Sequence, residues 1–80
     1  MILSDEERVE GFLRRDTLNA YTLIEILQGT LGLAEPGDPR LERIATALDN
    51  LIVKRIVIGK EFAGRIGYER HYFIIHPQQV

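Results

Sequence analysis

The run Asp38-Pro39-Arg40-Leu41-Glu42-Arg43-Ile44-Ala45-Thr46-Ala47-Leu48-Asp49-Asn50-Leu51-Ile52-Val53-Lys54-Arg55-Ile56-Val57-Ile58 decides how this chain folds, because a helix pattern ends inside it and a strand pattern begins. Asp38 is a capping residue, and Pro39 suits the first helical position, where its missing N–H costs nothing. Leu41, Ile44, Ala45, Leu48, Leu51 and Ile52 fall at i, i+3, i+4, i+7, i+10 and i+11, one apolar face held along the helix. Lys54 and Arg55 bring positive charge to the negative end of the helix dipole. At Ile56-Val57-Ile58 the period breaks and β-branched residues follow one another, as in strands. The spacing predicts a helix over about 39–55 and a strand from 56.

Downstream, Tyr72-Phe73-Ile74-Ile75 is a second β-rich run, and Ala63-Gly64-Arg65-Ile66-Gly67 between the two runs fits a hairpin tip. Pro77 ends the second run, which gives a two-stranded hairpin over about 56–76 and a frayed tail at 78–80. Upstream, residues 29–38 carry three glycines and a proline and read as a loop, with Leu31 and Leu33 expected to tuck onto the core. A second helix is expected over about 18–28. Asp16, Thr17 and Asn19 are its candidate caps, Ala20, Leu23, Ile24 and Leu27 its stripe with Tyr21 on the margin, and Gly29 its C-terminal stop. A first helix over about 4–15 begins at Ser4, where Ser4-Asp5-Glu6-Glu7 has capping-box spacing. Val9, Phe12 and Leu13 form its apolar face, and Gly11 weakens it by about 1 kcal/mol relative to alanine.

Eighty residues make one α+β domain over 1–80, with a thin core. Cysteine is absent, so there is no disulfide framework and no thiolate metal site or nucleophile. The start turns acidic at once, unlike an export signal, and no apolar run approaches the ~20 residues of a membrane span. A cytoplasmic setting without membrane contact is therefore expected. The net charge of −2 is unevenly spread. Residues 1–39 hold three arginines against eight carboxylates, giving −5; residues 40–80 hold seven cations against four carboxylates, giving +3. The C-terminal half is the basic half.

Helix, helix, loop, helix, hairpin resembles the order of winged-helix domains in many transcriptional regulators. The stretch from Leu48 to Val57 looks like that family's junction between recognition helix and wing, and Arg70-His71-Tyr72-Phe73-Ile74 looks like its return strand. The resemblance implies a three-helix winged-helix fold with a C-terminal hairpin wing, and a DNA-binding regulator that lays its third helix in the major groove. Two features depart from the family pattern. The loop before the third helix is longer than the usual three- or four-residue turn, and the chain is slightly acidic where DNA binders tend to be basic.

On the expected third helix, Arg40, Arg43, Ala47 and Asn50 form a ridge at i, i+3, i+7 and i+10, with Thr46 beside it. Arginine can grip guanine, asparagine adenine, and alanine a thymine methyl. Lys54, with Lys60 and Arg65 on the wing, would reach phosphates. The same residues also fit a solvated face, because Glu42 and Asp49 flank the ridge and repel phosphate. Edge-strand charges also prevent aggregation without any ligand. Duplex DNA is the expected partner, with a homodimer or a protein partner as companions. The alternative is a winged-helix protein-interaction module without DNA binding.

No catalytic residue, metal or cofactor is expected. Ser4 is the sole serine and is used as a cap, and His71 and His76 fall on opposite strand faces. Gly64-Arg65-Ile66-Gly67 has the Gly-x-x-Gly spacing of an RNA-binding clamp, but it lies between strands rather than helices. Tyr21, Tyr68 and Tyr72 are read as core margin, wing surface and core.

Overall fold

The computed structural model describes residues 2–65 and 67–75. Ile66 at the hairpin tip, His76, the expected stop at Pro77 and the expected tail lie outside the described residues. The elements run α1 (Asp5–Arg14), β1 (Tyr21–Thr22), α2 (Leu23–Leu31), α3 (Leu41–Val53), β2 (Val57–Gly64) and β3 (Gly67–Ile74). The architecture is α+β, with three helices against one antiparallel sheet of order β1-β3-β2. The sheet has three strands where the sequence reading expected two.

α1 starts where its capping box places it. Ser4 Oγ accepts from Glu7 N at 3.1 Å, and Glu7 Oε1 accepts from Ser4 N at 3.0 Å. The second helix begins later than residue 18. Asp16 is occupied by the Tyr21 hydroxyl and by Asn19 Nδ2, so it is not free to cap. Tyr21 instead pairs with Tyr72 as β1. The cap of α2 is Thr22, whose hydroxyl accepts from Glu25 N at 3.3 Å while Glu25 accepts from Thr22 N at 2.8 Å. α2 then runs through Gly29 and stops at Gly32, which takes φ 91°, a conformation that favours glycine. Leu31 therefore belongs to α2, and Leu33 is 95% exposed instead of tucked inward.

α3 is shorter than 39–55. Asp38 Oδ1 accepts from Arg40 N at 2.9 Å, and Leu41 N donates to Asp38 O at 3.0 Å, so Asp38–Arg40 is a lead-in turn. At the other end Arg55 N donates to Ile52 O at 3.0 Å and Ile56 N to Leu51 O at 2.9 Å. These two bonds make a Schellman turn with Arg55 in the left-handed region, φ 62°. Lys54 and Arg55 therefore form the turn after the helix and are not part of its last turn.

Val9 and Leu13 of α1, Ile26 and Leu27 of α2, and Ile44, Ala47, Leu48 and Leu51 of α3 form the core with Val57 and Ile74. Strand alternation gives the hairpin two faces. Val57, Ile74 and Tyr72 turn inward onto the core. Ile58 opposite Phe73, Lys60 opposite His71 and Phe62 opposite Glu69 share the outer face. No helix among the described residues is long and apolar enough to cross a membrane.

Candidate functional site

The third helix carries most of the residues expected to touch a ligand, and its packing rearranges them. Ile44, Ala47, Leu48 and Leu51 are its buried residues. Opposite them, Glu42, Thr46, Asp49 and Val53 are all exposed, and their spacing i, i+4, i+7, i+11 lines them along one ridge. This outward ridge bears two carboxylates and an 82% exposed valine. It carries no cation.

The expected ridge lies on the flank instead, against the N-terminal turn of α1. Arg43 Nη2 donates to Asp5 Oδ1 at 2.8 Å and Arg43 Nε to Asp5 Oδ2 at 3.2 Å. Glu6 receives Asn50 Nδ2 at 3.2 Å and Lys54 Nζ at 2.7 Å. Arg43, Thr46, Ala47 and Asn50 line a shallow depression of about 350 Å³ together with Asp5 and Glu6. Ala47 is 2% exposed in its floor and is a core residue, so its methyl cannot meet a thymine. Arg40 bonds Asp38 and the carbonyls of Leu31 and Leu33. It fastens the α2–α3 loop.

These pairings hold the partners in their charged forms. The Arg43 guanidinium lowers the Asp5 carboxyl below its ordinary range, and the Lys54 ammonium does the same for Glu6. Arg43 and Lys54 are raised in return by Asp5 and Glu6. The bonds of Arg40 hold Asp38 at about 2.

Lys60 and Arg65 stand apart from this network. Among the described residues neither forms an ion pair. Lys60 lies on the outer sheet face, its ammonium 5.9 Å from the Phe73 ring centroid. Arg65 is exposed at the hairpin turn. Phe62 meets His71 edge-on at 5.2 Å on the same face, so this face is aromatic and carries Lys60 with Glu69. Tyr68 is 77% exposed, while Tyr21 and Tyr72 pack against the core.

Sequence reasoning missed Asp5 and Glu6 as partners of α3, because contacts across 38 to 48 residues leave no local signal. The outward ridge did have a signal. Ala47 stands three residues after Ile44 and four before Leu51. Counting it as apolar turns the buried stripe toward α1 and sends Glu42 and Asp49 outward.

Compared with protein families, curated proteins and solved structures, the chain matches none. Its class is defined by the fold alone, as an α+β domain of three helices and a three-stranded antiparallel sheet whose third helix turns an acidic ridge outward.

Proposed function

We propose that the chain is a winged-helix-type domain, with β2 and β3 as its wing, that acts by binding another protein. The observation that carries this reading is the state of α3. Arg43, Asn50 and Lys54 are held by α1 carboxylates, and Glu42 and Asp49 occupy the outward ridge. Duplex DNA is a dense array of phosphates. A helix laid into its groove by this ridge would bring two carboxylates, without ion pairs among the described residues, against that array. A protein partner with cations and a small apolar contact suits the ridge better. The reading includes no catalytic step, and with no cysteine in the chain it is set in the cytoplasm.

A second reading keeps the duplex, contacted through the hairpin, and rests on Lys60 and Arg65, which form no ion pair among the described residues. A DNA-binding regulator of this kind would use the wing in place of α3. Anisotropy of a labelled random-sequence duplex at about 50 and about 200 mM salt separates the two readings. Protein binding predicts no titratable signal at the lower salt. Replacing Asp5, Glu6, Glu42 and Asp49 by their amides should then create weak, salt-sensitive binding. Wild-type binding that falls steeply with salt would overturn the protein-interaction reading, and loss of that binding in Lys60→Ala/Arg65→Ala would establish the hairpin route.

A further inference from the structure

Gly11 has no explanation inside one molecule. It stands in the middle of α1, where glycine weakens a helix relative to alanine, and a Cβ added there would meet nothing within 4 Å. It lies on the floor of a groove of about 390 Å³ between α1 and α2, with Leu3, Phe12 and Gly29 as apolar or small neighbours. Arg8 and Arg15 line the same groove. Neither is in an ion pair among the described residues, and Arg15 lies 5.9 Å over the Phe12 ring. Glu7 also lines the groove, but its carboxylate is committed to Ser4 N at 3.0 Å. The groove thus offers two cations seven residues apart with a helix-weakening glycine between them.

The outward ridge of α3 is its complement. Glu42 and Asp49 are also seven residues apart, and Thr46 lies between them. Seven residues rise about 10.5 Å and return to nearly the same face, so both charge pairs have the same span. If one helix runs antiparallel to the other, Glu42 stands opposite Arg15, Thr46 opposite Gly11, and Asp49 opposite Arg8. Val53 then falls beside Leu3, itself 49% exposed. All four ridge residues find a suitable neighbour in one register, and the missing side chain at Gly11 lets the backbones approach. We infer that the α3 ridge of one copy docks antiparallel in the α1–α2 groove of a second copy. This rests on the reading of the ridge as a protein-binding face. The groove is lined by α1 and α2 and the ridge is the outward side of α3, so the two patches are distinct, and the contact is heterologous and joins copies head to tail in chains or rings.

Sedimentation equilibrium of the full chain from about 10 μM to about 1 mM tests this in the affinity range of a small contact. The average mass should climb with concentration without levelling at a dimer, and should fall back at high salt. Arg8→Gln/Arg15→Gln and Glu42→Gln/Asp49→Asn should each weaken association about tenfold, the order contributed by two exposed ion pairs. Mixing the two variants restores one intact groove and one intact ridge, so a species capped at two copies should form. Gly11→Gln fills open space, so it should keep or raise the melting temperature while abolishing association. A monomer throughout the range, or a Gly11→Gln chain that associates as well as wild type, would overturn the inference. Duplex DNA added to the same samples separates the two failures. A monomer that ignores duplex removes only the self-contact, whereas a monomer that binds it removes the protein-interaction reading as well.

Discussion

Gly29 and Gly11 are both helical glycines, and at the scale of one residue their surroundings are opposite. A Cβ at Gly29 would stand 2.1 Å from Phe12 Cε1 and 2.6 Å from Cδ1, closer than any real contact. The ring cannot simply step aside, because it packs edge-on against Tyr21 at 4.9 Å and lies beneath Arg15. Alanine at Gly29 gains about 1 kcal/mol of helix propensity and loses about 1–3 kcal/mol to overpacking. The expected net effect of Gly29→Ala is destabilisation, while Gly11→Ala should stabilise by up to about 1 kcal/mol. Urea denaturation of the two variants checks this, and equal effects of the same sign would contradict it. The sequence pattern set Gly11 inside a helix and Gly29 at the end of one, yet both stand inside helices. Each follows a polar residue within a helical run, and the difference is the position of a phenylalanine seventeen residues from one and one residue from the other.

At the scale of the element, what the sequence made legible was whatever neighbours along the chain decide. The capping box at Ser4, the apolar stripe of α3 and the change of period at Ile56 are local patterns, and each helix and each hairpin strand has one. The start of α2 was also local, in Thr22-Leu23-Ile24-Glu25, but Asp16, Thr17 and Asn19 offered competing caps earlier in the chain. The choice depends on β1, two residues whose extended state comes from pairing with a strand about fifty residues away. The pairing of Arg43 and Lys54 with α1 was hidden for a related reason, because their partners Asp5 and Glu6 sit at the other end of the sequence. The end of α3 carries a feature the sequence did not suggest. Arg55 holds the left-handed position of a Schellman turn at φ 62°, where a side chain costs about 1 kcal/mol relative to glycine. Arg55 has no ion pair among the described residues to offset that cost. Arg55→Gly should therefore raise stability by about 1 kcal/mol, or roughly 4–8 °C in a domain of this size. A melting curve unchanged or lowered would mean that the arginine side chain contributes something the turn does not.

For the whole molecule, the acidic N-terminal half and the basic C-terminal half meet at the α1–α3 seam, so the charge asymmetry in the sequence becomes a structural contact. Asp5 on Arg43 and Glu6 on Lys54 join a carboxylate of residues 1–39 to a cation of residues 40–80 across this seam, while Asp38 on Arg40 is a local pair in the α2–α3 loop. The Asp5 and Glu6 pairs are largely exposed and the Asp38 pair is partly buried; each contributes modestly and salt screens it, yet they share one sign. Each carboxyl lies below its ordinary value in the folded state, lowered by Arg43 at Asp5 and by Lys54 at Glu6, and by Arg40 to about 2 from 3.8 at Asp38. A carboxyl lowered on folding binds protons more readily in the unfolded chain. Its stabilisation is complete above the unfolded value and is lost as pH falls through the folded one. The urea midpoint should therefore be nearly level from about pH 7 to about pH 5, then fall progressively below about pH 4 toward pH 2. The Asp5→Asn/Glu6→Gln/Asp38→Asn chain should begin lower at neutral pH and show a shallower fall, and added salt should flatten the wild-type curve toward it. Identical acid limbs in the two proteins would mean that the seam pairs do not hold α1 on the flank of α3. In that case Arg43, Asn50 and Lys54 would be free for another ligand, and the case against base reading by α3 would rest on Glu42 and Asp49 alone.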